Sequence, residues 1–199
     1  MHNAVDHALL SRTARGDDAA ARMLWSVIGP RLVALARGML RYYGGEAAAM
    51  DVVQTVLCRV VGSDRSVIAD VDDVAAWLSR GVRNECLNYR RTIDRRDARE
   101  SVVRDSTVRD SLNPGHTPDP ADSFAQLNDA LGKLPENLRE ILLLKHAAGL
   151  TFDQMALSLH ENRSTIATRY SKALKLLREA TDEKPQAASQ PHPTREVHT

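Results

Sequence analysis

The stretch from Leu134 to Arg178 constrains this chain more than any other: LPENLREILLLKHAAGLTFDQMALSLHENRSTIATRYSKALKLLR. Its apolar residues recur at helical spacing in three short blocks divided by turn signals. Pro135 suits the first position of a helix, where its missing N–H costs nothing. Leu138, Ile141, Leu142 and Lys145 follow, and Gly149 supplies a stop. Thr151 and Gln154 form a capping-box pair ahead of a second helix with the stripe Phe152, Met155, Ala156 and Leu159. Asn162 can cap a third helix from Arg163 onward.

The third helix has two unlike faces. At about 100° per residue, Ile166, Tyr170, Ala173 and Leu177 share one side. Ser164, Thr168, Ser171, Lys172 and Lys175 share the other, with Thr165 and Arg169 on its flank. Between Arg163 and Arg178 there are five basic residues and no acid. One side can pack while the other offers hydroxyls and cations to phosphates and base edges, as the second helix of a helix-turn-helix does. An ordinary amphipathic helix with a solvated basic face has the same pattern. The short capped helix just ahead of it favours the nucleic-acid reading.

Upstream, residues 4–15 read as a helix stopped by Gly16, and Asp17 or Asp18 can cap the next. Residues 19–41 carry a helical stripe that Gly29-Pro30 should kink or split. Tyr42 to Gly45 reads as a turn. The helix over 46–61 places Met50, Val53, Val56, Leu57, Val60 and Val61 on its apolar side. Asp51, Gln54 and Thr55 lie on or beside its polar side with Val52, whose expected exposure hints at a contact surface. Residues 62–73 read as a polar loop.

Asp72 or Asp73 can cap a long helix from about Val74, with Trp77, Leu78, Gly81, Val82, Cys86 and Leu87 inward. Arg80, Arg83, Asn84, Asn88, Arg90 and Arg91 point the other way. Seven arginines against three acids lie between Arg80 and Arg99. Arginines beside Trp77 and Tyr89 suit a single strand, because guanidinium binds phosphate and rings stack on bases. A solvated, charged helix end has the same composition. Residues 100–123 are rich in Pro, Asp and Ser and read as a flexible linker. Residues 124–133 resume a helix, and 182–199 read as a disordered tail.

Helical periodicity in nearly every segment, with aromatics at only 4%, predicts an all-α chain. The expected layout is two small helical domains, 1–99 and 124–181, on a flexible connector. A net charge of +1 gives no global electrostatic case for nucleic acid, so local patches must carry it. No segment reads as a membrane span and no signal-peptide core is visible, which points to the cytoplasm. Cys58 and Cys86 are far apart and read as buried free thiols. No phosphate loop, HExxH or metal-ligand spacing is present, so neither cofactor nor metal is expected.

Two blocks carry a family resemblance. The first, over about 9–97, holds Gly16-Asp17 with Ala19-Ala20, PRLVALARGML, DVVQTVL and AWLSRGVRNECLNYRR. The second, over about 127–179, holds LPENLREILLLKHAAGLTFDQMA and the run from Ser164 to Arg178. In this order and spacing they resemble a bacterial sigma factor of the extracytoplasmic-function group in the sigma-70 family. The resemblance implies a factor that binds core RNA polymerase, at the clamp of the largest subunit and at the flap, and directs it to promoter DNA. Its first domain would melt the −10 element and its second would read the −35 duplex. By position, Asp51, Gln54 and Thr55 match the polymerase-binding helix. The loop 62–73 with Trp77, Arg80, Arg83, Asn84, Asn88, Arg90 and Arg91 matches the −10 strand-capture region. Arg163, Ser164, Thr165, Thr168, Arg169, Ser171, Lys172 and Lys175 match the −35 helix. Such factors are commonly held by an anti-sigma protein. Three places depart from the family pattern: Thr55 replaces a usual acid, Ala167 a usual basic residue, and His160-Glu161 a usual Gly-Ile turn.

Three rivals frame that reading. A free-standing two-domain helix-turn-helix regulator would bind duplex without polymerase. An interaction module would occupy polymerase without reading DNA. An enzyme built on Cys86 or His146 lacks a base, an orienting group and an oxyanion donor beside either residue.

Overall fold

Caps and glycines set the helix ends. In the computed structural model, which describes residues 6–103 and 129–182, Asp6 opens α1 (His7–Ala14) by accepting from the Leu9 N–H at 2.7 Å. Gly16, at φ +83°, turns the chain. Asp17 Oδ1 then accepts from the N–H groups of Ala19 and Ala20, both at 3.0 Å, to start α2 (Asp18–Met39). The Ala20 N–H, followed by Arg12, holds the Asp17 carboxyl below its usual range. Gly44, at φ +108°, precedes α3 (Gly45–Val60). A short α4 (Arg65–Ala69) follows, and Asp73 Oδ1 accepts from Ala76 N–H at 2.8 Å at the head of α5 (Val74–Val103).

After a helical turn at 129–133 come α6 (Glu136–His146), α7 (Phe152–Leu159) and α8 (Arg163–Asp182). No strand occurs among the described residues, so the chain is all-α. Pro135 is the N-cap of α6 rather than its first residue, and Gly149 stops the segment at φ +72°. The expected tail lies outside the described residues from 183 on, as does the linker from 104 on. Positions 100–103 of that linker are the last turn of α5.

Four expectations need correction. Pro30 does not split α2: it sits on the exposed side, where the Ser26 carbonyl it leaves unpaired can meet water. Buried Leu24, Ile28, Leu32 and Leu35 hold both halves of the helix to one core. Long and apolar enough to cross a membrane by length and composition, α2 instead buries these residues in the bundle. Val52 is only 3% exposed, because α3 is covered on two sides, by α2 and by α5. The 62–73 segment is not a free loop; α4 anchors it through buried Ile68, and Val71, just past the end of α4, is buried as well. Of the two thiols, Cys86 is buried but Cys58 is exposed.

The two helical units are docked. One hydrophobic core runs from Leu10, Leu32, Val53, Leu78 and Cys86 into Ile141, Leu144, Leu150, Met155 and Ile166. A second, smaller cluster joins Leu134, Leu138 and Leu142 to Ala173 of α8. Helices α5 and α7 pack together, and so do α2 and α6. At that last contact Gly38 leaves room for Leu143: an added Cβ would lie 2.3 Å from its Cδ2.

Candidate nucleic-acid interface

Helices α7 and α8 form the turn that the sequence implied. Thr151 and Gln154 make a complete capping box: Gln154 N–H donates to Thr151 Oγ1 at 3.2 Å, and Thr151 N–H donates to Gln154 Oε1 at 2.9 Å. At the far end His160 adopts the left-handed conformation, φ +53° and ψ +44°. Glu161 N–H closes the turn onto the Ala156 carbonyl at 3.1 Å. The glycine missing from this turn is thus replaced by a histidine in a glycine-like conformation.

Helix α8 buries Ile166 and Ala173 and half-buries Tyr170 and Leu177. Tyr170 meets Phe152 edge-on, with centroids 5.3 Å apart, and lies 3.1 Å from His146 Nε2 through its hydroxyl. The opposite side presents Ser164, Thr168, Ser171, Lys172 and Lys175, all exposed. Thr165 and Arg169 are half-buried on the flank. Several polar groups are engaged locally: Thr168 donates to the Ser164 carbonyl at 2.9 Å, Arg163 pairs with Asp153 at 3.0 Å, and Arg169 pairs with Glu161 at 2.7 Å. Glu161 therefore sets Arg169 in place and weakens its hold on any phosphate. Lys175 reaches Glu179 only at 3.9 Å, and Lys172 makes no ion pair among the described residues.

Helix α5 places its candidates less uniformly. Asn84, Asn88 and Arg91 are exposed, and Arg91 Nη1 donates to Asn88 Oδ1 at 3.2 Å. Arg80 is half-buried. Trp77 is half-buried against the main core, with part of its ring still exposed. Arg83 and Arg90 face α6. Arg83 is bidentate to Glu140 and Arg90 bidentate to Glu136, whose second contacts lie at 3.4 and 3.1 Å. Arg90 also lies over the Tyr43 ring, 5.0 Å from its centroid. Its hydrogen bonds hold the Glu136 carboxyl below the usual range, and Glu136 in turn raises Arg90.

On α3, Asp51 and Gln54 are exposed and Thr55 is half-buried. Gln54 lines an open apolar groove of about 650 Å³ with Trp25, Leu57, Cys58 and Val61. This groove was missed in the sequence. Its one signal was Trp25, a large aromatic off the buried stripe of α2 and 36% exposed. Among the described residues no group of three His, Cys, Asp or Glu could hold a metal ion.

The family models for Sigma-70 region 2 and Sigma-70, region 4 match residues 24–96 and 124–177, together well over half of the chain. The chain belongs to the sigma-70 family. Within it the protein is a sigma factor of the extracytoplasmic-function group: it binds core RNA polymerase and directs it to promoters. The chain is 25% identical over 137 residues to RNA polymerase sigma factor SigV of Bacillus subtilis (strain 168), spanning 69% of this chain and 78% of that one. Two solved structures share the fold. CnrH, in complex with the cytosolic domain of CnrY, matches with a TM-score of 0.60 and 22% identity, over 89% of this chain and 97% of CnrH. The sigma factor RpoE, bound to the anti-sigma factor NepR from Bartonella quintana, gives 0.61 and 22%, over 81% and 96%. Region 2 of this sigma factor thus runs from within α2 to α5, and region 4 contains α6, α7 and most of α8.

Proposed function

We propose that this sigma factor reads the −35 duplex with α8, captures the melted −10 strand along α5, and holds polymerase through α3. The exposed stripe of Ser164, Thr168, Ser171, Lys172 and Lys175 carries the reading, because it is backed by buried Ile166 and Ala173 behind a capped helix and a tight turn. Hydroxyls and a lysine on such a stripe can meet base edges, each good bidentate pair being worth about 1–3 kcal/mol. Arg80, Arg91, Asn84 and Asn88 on α5 would track a single strand, with Arg83 and Arg90 joining once freed from α6. The 62–73 segment with Asn84 is the candidate seat for an unstacked base, which melting requires instead of bond chemistry. The protein then acts as a non-catalytic initiation factor in the cytoplasm, where its polymerase works. Asp51, Gln54 and Thr55, beside the Trp25 groove, form the polymerase-facing surface.

An anti-sigma partner is part of this proposal, because the structural neighbours CnrH and RpoE were each solved with a bound protein, in RpoE an anti-sigma factor. Run-off transcription with core polymerase and a promoter library tests the whole: transcripts should start from a restricted set of promoters. Starts without preference among promoters would overturn it.

A further inference from the structure

We propose that α6 carries an internal stand-in for nucleic-acid phosphate: Glu136 and Glu140 occupy Arg90 and Arg83, so the docked halves and a strand bound along α5 exclude each other. This rests on α5 being the strand-binding surface. Arg83 and Arg90 are seven residues apart and share one side of α5, two turns along. Glu136 and Glu140 are four apart and share one side of α6. The pairing is crossed, the earlier arginine taking the later glutamate, and it is made by long side chains reaching between helices whose backbones are not closely packed. Both pairs are bidentate, the geometry in which guanidinium also grips phosphate. One partner of each pair is withdrawn from water: the Arg90 and Glu140 side chains retain 19% and 13% of their exposure, against 50% for Glu136 and 27% for Arg83.

The pairs do not stand alone. Gln154 Nε2 donates to Asp73 Oδ2 at 2.9 Å, tying the head of α7 to the head of α5. Arg41 pairs with Asp129 at 2.9 Å on the other flank. Leu143, on the same helix as both glutamates, is seated at Gly38. Docking therefore lays two carboxylates along an arginine row that would otherwise be open. A strand must displace them, and whatever draws region 4 away uncovers the row.

The test uses the full chain and a short fluorescent single-stranded DNA oligonucleotide, with affinity read by anisotropy across a salt series. Glu136→Gln with Glu140→Gln keeps the side-chain shapes and removes both charges. The double variant should bind the oligonucleotide about tenfold more tightly, with a salt slope steeper by roughly one to two, as freed arginines release counterions. Arg83→Ala with Arg90→Ala, added to that background, should abolish the gain. If the arginine changes weaken binding but the glutamine changes do not strengthen it, the stand-in is refuted and α5 keeps its strand. If the arginine changes leave binding untouched, the strand surface itself is misplaced. Arg90→Glu with Glu136→Arg guards against a folding artefact. The swapped pair should keep the compact dimensions of the wild type in small-angle scattering, and loss of compactness would count against the ion pair as a docking contact.

Discussion

His160→Gly should stabilise the protein. His160 is the one non-glycine residue with positive φ among the described residues, at φ +53° and ψ +44°. An L-residue in this region costs roughly 1–2 kcal/mol, less for those whose side chains tolerate it. Glycine removes that cost but widens the unfolded ensemble, returning about 0.4–1 kcal/mol. The side chain is exposed, so its removal forfeits no packing. Both closing bonds of the turn are made by backbone, His160 N–H and Glu161 N–H each to the Ala156 carbonyl, and survive the change. The net expectation is about 0.5–1 kcal/mol, a rise in Tm of roughly 1–4 °C for a unit of this size. Thermal unfolding followed by far-UV circular dichroism reads it. His160→Ala separates the two causes: it removes the imidazole, keeps the strain, and should stay within about 0.5 kcal/mol of wild type. A glycine variant melting at or below the wild type would refute the assignment of strain to this turn. The angle between α7 and α8 is held by the same backbone bonds, so −35 duplex affinity should not change.

Four further outcomes follow from particular residues. Lys172→Ala should weaken −35 duplex binding by holoenzyme and lower the salt slope by about one, and an unchanged slope would strike Lys172 from the phosphate contacts. Asp51→Arg should abolish co-purification with core polymerase while leaving the melting curve intact, since Asp51 is exposed and outside the core. Burial pushes the Cys86 thiol up to about 12, and Cys58 is exposed, so a thiol reagent should modify Cys58 alone until the chain is unfolded. Rapid modification of Cys86 in the native state would contradict the core. Arg90 depresses the Glu136 carboxyl, so the pair supports docking above the unfolded carboxylate range of about 4.3 and is lost as pH falls through the lower folded value. Acid should therefore loosen the docked halves less in Glu136→Gln, which has already lost the pair, and scattering profiles across pH measure the difference.

The region 4 unit was the most legible part of the chain, because its signals are local. A capping box needs only Thr151 and Gln154 three residues apart, and a helical face needs only spacing. The exposed stripe of α8 therefore appeared where periodicity put it. The errors came where distant chain decides the outcome. Val52 looked exposed on a helical wheel, but α3 is covered from two sides. Pro30 reads as a breaker in any local rule, yet it faces water while flanking leucines hold the helix together. Arg83 and Arg90 looked like part of a free basic row; only packing could reveal that acids more than forty residues away occupy them. Trp77 carried the same ambiguity between core and stacking platform, and the core holds half of it.

Gly38 and Leu143 work as notch and tooth. Where the halves meet is written into one missing methyl group and one branched side chain, independently of the stretch that connects them. Lengthening that stretch would change how often the tooth finds its notch, by only about 0.6 kcal/mol per doubling. Filling the notch would throw the halves out of register however short the tether.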